Sequence, residues 1–169
     1  GSLIYTMFRT PLGWAGVAAT PAGICRVVLA LSGEPEFLKT LRTLHPNPEK
    51  NGDKLASVEK EFHLYFQGTL KQFSCKLDLT RGTCFEQQVW RKLMTIPFGK
   101  TRSYQWLAHS INRPKAFRAA GNANGRNPAP VIVPCHRVIR QNGSLGGFTG
   151  GTHLKQFLLD LEARSYGAI

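Results

Sequence analysis

The run Val131-Ile132-Val133-Pro134-Cys135-His136-Arg137-Val138-Ile139 carries an apolar stretch straight into three polar side chains, which buried segments seldom do. A thiolate is the softest nucleophile a side chain offers. Of the 4 cysteines, Cys135 alone sits in a rich polar motif. A free thiol is mostly protonated at neutral pH, so it needs a base or a positive field. His136 is adjacent in sequence, but neighbours in an extended strand point to opposite faces. The two would cooperate only if the chain turns there or a water bridges them. Alone, the pair is weak, because a structural thiol beside a satisfied histidine is the more frequent case. Cys25 and Cys75 lack ligand-spaced neighbours and His45 and His63 stand alone, so all four read as core or surface residues. Cys84 begins a helix and has no histidine close in sequence to act as its base.

The elements that must position these groups are legible in outline. Leu3–Arg9, Trp14–Ala19 and Ile24–Leu31 are β-prone runs separated by Pro11-Leu12-Gly13 and Pro21-Ala22-Gly23, which predicts a three-stranded antiparallel meander. A helix is expected from Glu34 to Leu44, then a Pro-rich loop, then a helix from Asp53 to Gln67. Phe62–Gly68 resembles a protease-tag remnant, but its apolar spacing continues that helix and reads as native core. The opening Gly1-Ser2 reads as a tag remnant. Thr83-Cys84-Phe85-Glu86 is a capping box opening a helix that ends at Pro97-Phe98-Gly99. Ser103 caps a short helix from Tyr104 to Ile111, and Pro114 suits the first position of a second, reaching about Ala123. Two short helices across a tight turn suggest a helix-turn-helix, although spacing alone fits a packed helical hairpin equally well.

The chain has 169 residues and a formal charge of +12, enough length for one domain or two small ones. Its 42% hydrophobic content excludes a disordered chain, and no apolar run is long enough for a membrane helix. Residues 1–80 carry 9 Lys/Arg against 7 Asp/Glu, whereas residues 81–169 carry 13 against 3. Between Glu86 and Asp160 lie 11 basic residues and no acid. A face kept for solubility normally mixes signs, so a polyanion partner is expected, and nucleic acid is the commonest polyanion. The shift near residue 80 places a boundary between a domain at 1–79 and a domain at 80–169.

The motifs Arg-Ser-Tyr-Gln-Trp-Leu-Ala, Arg-Ala-Ala-Gly-Asn-Ala-Asn, Arg-Asn-Pro-Ala-Pro, Pro-Cys-His-Arg-Val-Ile and Gly-Gly-Phe-Thr-Gly-Gly follow in order between Phe85 and Glu162. In this set the chain strongly resembles the O6-alkylguanine-DNA alkyltransferases (methylated-DNA–protein-cysteine methyltransferases). Residues 1–80 resemble the family more loosely, through Thr10-Pro11-Leu12-Gly13 and Tyr65-Phe66-Gln67-Gly68. The resemblance implies an α/β + α fold: an N-terminal ribonuclease-H-like α/β domain with a small antiparallel sheet, and a mostly helical C-terminal domain with a helix-turn-helix. It implies repair of double-stranded DNA by single-turnover transfer of an alkyl group from O6-alkylguanine, with O4-alkylthymine a further candidate lesion, to Cys135. His136 would activate the thiol through a water, Glu162 would hold the imidazole, and Tyr104 would supply a proton to the departing base. Arg118 would fill the gap left by the flipped base, with Lys115, Ala119, Asn122, Arg126 and Ser103 as further DNA-binding residues. Asn127, Pro130, Val138, Phe148, Thr149 and Gly150 would shape the base pocket. Phe148 departs from the tyrosine of many relatives, so altered ligand tolerance is expected. Some relatives bind zinc, but Thr20 falls where a cysteine would be wanted and His45 is displaced, so no metal and no cofactor are expected.

A monomer with a cytoplasmic (or nuclear) location and no membrane attachment is the expectation. The competing reading is a non-catalytic binder of alkylated DNA, which Cys135 argues against. A sequence-specific regulator would need long base-reading side chains where the second helix has Ala and Gly. A Cys/His hydrolase would need a neighbouring base and an oxyanion hole that the spacing does not supply.

Overall fold

The structure, a computed structural model, describes residues 2–166 and divides into two compact units, Gly1–Leu79 and Thr80–Ile169. Gly1 of the opening dipeptide lies outside the described residues. In the first unit β1 (Ile4–Thr10), β2 (Gly13–Thr20) and β3 (Gly23–Leu31) form the antiparallel meander. α1 (Glu34–Leu41) packs on this sheet, with the Phe37 ring so close to Gly16 that an added Cβ would lie 2.5 Å from it. The sheet is larger than expected, because β4 (Glu49–Lys50) adds a fourth strand parallel to β1. Both residues of β4 are exposed and the strand is held by backbone bonds, so no apolar pattern marks it.

α1 stops at Leu41 where the pattern suggested Leu44, and α2 (Ala56–Phe66) starts three residues after Asp53. Helix ends depend on capping that apolar periodicity does not report. Phe62 and Tyr65 on α2 are fully buried, so the tag-like segment is core.

The second unit is mostly helical. α3 (Cys84–Leu93) has the reciprocal capping box: Thr83 Oγ1 accepts from the Glu86 N–H, and Glu86 accepts from the Thr83 N–H. Val89, Trp90 and Leu93 are buried, while Met94 points outward. β5 (Arg102–Ser103) leads into α4 (Tyr104–Ser110), capped by Ser103 as its sequence suggests. The second of the paired helices, α5 (Phe117–Gly125), begins three residues beyond Pro114. The intervening turn places Asn112 in the left-handed region (φ 61°) and holds Lys115 and Pro114 ahead of the helix. Trp90 Nε1 donates to the Ala123 carbonyl at 2.8 Å and so fixes α5 on α3.

The run ending in Pro-Cys-His-Arg does not continue as a strand: Cys135–Arg137 form a 3-10 turn, and only Val138–Ile139 extend as β6, parallel to β5. α6 (Thr152–Ser165) closes the unit. Among the described residues no helix is long and apolar enough to cross a membrane.

Candidate active site

The turn at Cys135–Arg137 changes what the three polar residues can do. Cys135 is 5% exposed and His136 is wholly buried. His136 Nε2 donates to Glu162 Oε2 at 2.6 Å, which fixes the tautomer and leaves Nδ1 as the free lone pair. Nδ1 has no hydrogen-bond partner among the described residues. Burial pushes the imidazole below its ordinary pKa, against the pull of Glu162, so the ring rests neutral and able to accept a proton.

Glu162 comes from α6, and a surface helix commonly exposes such a residue; here it is 1% exposed. Its Oε1 accepts from Arg137 Nε at 2.8 Å and the Gly99 N–H at 3.1 Å, and its Oε2 from Arg137 Nη2 at 3.1 Å as well as from His136. Arg137 Nη1 donates to the Ile96 carbonyl at 2.6 Å. Burial alone would raise the Glu162 carboxyl, but the hydrogen bonds from His136 and Arg137 outweigh it and hold the group well below the usual carboxylate range. The carboxylate is thus permanently charged and saturated with donors.

Burial also pushes the Cys135 thiol up to about 11, opposed by an Asn127 hydrogen bond and the charge of Lys155. Asn127 Nδ2 donates to the Val133 carbonyl at 2.7 Å and its Oδ1 accepts from the Ala129 N–H at 2.9 Å, stitching the loop before the turn. Inside that loop Val131 holds φ 78°, a strained value for a β-branched residue. Asn124 Nδ2 on α5 donates to the Cys135 carbonyl at 3.3 Å.

An open cavity of about 1000 Å³ lies between α4, α5 and the loop after β6. Tyr104, Arg118, Gly121, Asn122, Phe148 and Thr149 all contribute to its wall. Tyr104 is wedged between two glycines: a Cβ on Gly146 (φ 73°) would fall 2.7 Å from its hydroxyl, and one on Gly121 3.4 Å from its ring. Burial raises the Tyr104 hydroxyl, and the nearby Cys135 adds to the rise. The cavity therefore opens on one side to solvent and ends at a tyrosine within electrostatic reach of the thiol.

The expected residues divide clearly. Cys135, His136 and Glu162 come together, with Tyr104 close by, although they span 104 to 162 in sequence. Lys115, Arg118, Ala119, Asn122 and Arg126 are exposed around α5, and Arg126 pairs with Glu86. The Ser103 oxygen is committed to capping α4. Thr149 Oγ1 donates to the Gly125 carbonyl, tying the glycine-rich loop to α5. Asn127, Pro130, Val138 and Gly150 are not part of the cavity wall. Val138 is fully buried in β6, and Gly150 (φ 96°) packs against Leu154.

Sequence reasoning missed Arg137, Asn124 and Lys155. Lys155 sits wholly buried on α6 beside Leu154 and Leu158, and donates to the Leu145 carbonyl and to the Gly147 carbonyl at 3.2 Å. Burial lowers its ammonium to about 8. The available signal was a cation in an apolar setting, since Arg137 in a valine-rich run and Lys155 on an apolar helix face need buried partners. Among the described residues no three His, Cys, Asp or Glu side chains gather to hold a metal.

Comparison with known proteins gives a consistent result. The model described as "6-O-methylguanine DNA methyltransferase, ribonuclease-like domain" matches residues 3–79, and the one described as "6-O-methylguanine DNA methyltransferase, DNA binding domain" matches residues 84–164. The constitutive methylated-DNA–protein-cysteine methyltransferase of Bacillus subtilis is 40% identical over 163 residues, 96% of each chain. The crystal structure of the Mycobacterium tuberculosis O6-methylguanine methyltransferase superposes with a TM-score of 0.82 at 37% identity, covering 96% of this chain and 94% of that one. A crystal structure of the M. tuberculosis protein in complex with DNA gives 0.84 at 38% identity, with the same coverage of each chain.

Proposed function

The chain belongs to the 6-O-methylguanine DNA methyltransferase family, and from that premise we propose that it repairs alkylated DNA by moving the alkyl group from guanine O6 to Cys135. The observation that carries the reading is a buried thiol followed directly, within a 3-10 turn, by a buried histidine whose Nε2 is locked to a charged carboxylate.

A thiol near 11 is protonated at neutral pH, so it must lose its proton as it reacts. His136 Nδ1 takes that proton, through a water where the geometry requires one, and Glu162 stabilises the imidazolium. Lys155 and the Asn127 amide favour the thiolate. Cys135 Sγ then attacks the alkyl carbon, the carbon–O6 bond breaks, and its electron pair stays on the base. Tyr104 gives its hydroxyl proton to the departing guanine and later recovers one from solvent. The product thioether has no good leaving group and, among the described residues, no second nucleophile stands by, so each molecule turns over once.

The target base must leave the duplex stack to reach Cys135. α4, its turn and α5 act as a helix-turn-helix whose slim second helix approaches the DNA, with Arg118 filling the vacated position. Lys115, Arg126, Ala119 and Asn122 lie along the same backbone contact, and Ser103 positions Tyr104 through its cap. Phe148, Thr149 and Gly150 border the flipped base, Val138 backs it, and Asn127 with Pro130 fixes the preceding loop. The first unit, read as a ribonuclease-H-like domain, is scaffold.

The test is intact-mass analysis after incubation with a duplex containing O6-methylguanine. One methyl adduct per molecule, located on Cys135 and absent from Cys135→Ala, is the expected outcome. Binding without any adduct would instead favour the non-catalytic lesion binder, and many turnovers per molecule would contradict the acceptor mechanism.

A further inference from the structure

Among the described residues three large apolar side chains are exposed: Met94, Phe117 and Tyr166. Two are accounted for by their surroundings. Tyr166 packs over Gly99 and takes the Lys100 ammonium 4.5 Å above its ring, and Met94 is the C-cap at the outer end of α3. Phe117 is different. It is 39% exposed, opens α5, and lines the same cavity as Tyr104 and Arg118.

The helix itself explains the exposure. α5 buries Ala120, Ala123 and Asn124 on one stripe and turns Arg118, Gly121, Asn122 and Gly125 toward the cavity. Phe117 stands at the edge between the two faces, one turn before the buried stripe begins. Every other cavity-facing residue of α5 is small or polar, so one aromatic ring projects from an otherwise slim helix. The Arg118 guanidinium lies 6.0 Å from the ring centroid. Aromatic and guanidinium planes side by side present two flat groups to whatever enters the cavity.

We propose that Phe117 is a second wedge residue, whose ring stacks on the base next to the position emptied by the flipped nucleotide while Arg118 fills that position. This rests on the reading of the cavity as the site that receives alkylated DNA. Unstacking a base step costs a few kcal/mol, and proteins that distort duplexes commonly offset it with apolar wedges. Every base has a π-face, so such stacking is indifferent to sequence. It also adds affinity without adding charge, which separates its effect from that of the basic residues.

The experiment compares the unaltered protein with Phe117→Ala, Phe117→Leu and Phe117→Trp on a duplex carrying O6-methylguanine beside 2-aminopurine. Truncation to alanine should weaken binding about 5- to 150-fold, the range of one base–aromatic stack. The 2-aminopurine signal from the disturbed neighbour should change with it, whereas the salt dependence of binding should not. Trp should restore both readouts and Leu should not. Reaction of each variant with free O6-methylguanine should fall much less than reaction with the duplex, since no neighbouring base is present. Unchanged duplex affinity in Phe117→Ala, full rescue by Leu, or an equal loss with the free base would each overturn the proposal. If the unaltered protein forms no adduct on Cys135, the alkyl-transfer reading fails and takes the wedge with it. An adduct in the unaltered protein with no effect of Phe117→Ala sinks the wedge alone.

Discussion

Cys135 and Lys155 are buried within reach of each other and have opposite pH signatures. Burial raises the thiol from 9.0 to about 11 and lowers the ammonium from 10.5 to about 8. Between about 8 and 10.5 the unfolded chain holds the Lys155 proton more tightly than the folded one, so stability gains with rising pH. Between 9.0 and about 11 the folded chain holds the Cys135 proton more tightly, so stability falls. Lys155→Met should therefore abolish the gain that begins near pH 8 and leave only the decline, as read from urea midpoints across that range. Glu162 makes the other residue-scale prediction. Glu162→Ala would strand the buried Arg137 guanidinium and release His136, a loss of about 3–5 kcal/mol by denaturant unfolding. Tyr104→Phe should keep DNA affinity but slow alkyl transfer on the order of 100-fold, the usual contribution of a positioned proton donor. The sequence named Cys135, His136, Glu162 and Tyr104. It did not name Arg137 or Lys155, because a buried cation is recognised by its partners: those of Arg137 lie 25 and 41 residues away, and those of Lys155 are backbone carbonyls that no residue type marks.

At the scale of elements, the capped helices and the hairpin turns of the meander were readable, and the turn at Cys135 was not. Thr83 with Glu86, and Ser103 before α4, are local codes in which a side chain bonds a backbone group three residues away. The 3-10 turn at Cys135 has no comparable code. It is imposed by contacts from elsewhere, through Asn127 on Val133, Asn124 on the Cys135 carbonyl and Glu162 on His136 and Arg137. The glycine-rich loop gives a sharp test of element geometry. Gly146 holds φ 73° and a Cβ there would press on the Tyr104 hydroxyl, whereas nothing lies within 4 Å of a Cβ on Gly147. Gly146→Ala should cost about 1–2 kcal/mol in stability from the left-handed backbone alone and slow alkyl transfer by displacing Tyr104. Gly147→Ala should leave both unchanged in denaturant unfolding and single-turnover kinetics.

At the scale of the whole molecule the charge of +12 is local, concentrated in residues 81–169. Duplex binding should therefore weaken linearly with log salt, by about 0.9 log unit per log unit for each phosphate neutralised. Lys115→Ala should flatten that slope by about one such step while leaving sequence preference alone, as titrations at several salt concentrations would show. By itself the sequence determined the chemistry: a soft nucleophile in a polar motif, a basic acid-free stretch, the capped helices and the meander. These are properties of residue type and short-range spacing, which the covalent chain fixes directly. Only the tertiary structure decided that the Pro-Cys-His-Arg run turns instead of extending, that β4 joins the first sheet, and that Arg137, Asn124 and Lys155 serve the site. β4 depends on backbone pairing with β1; the turn and the buried cations depend on polar groups finding partners that no local pattern marks, and the energy of such pairing exists only once water has been excluded around it.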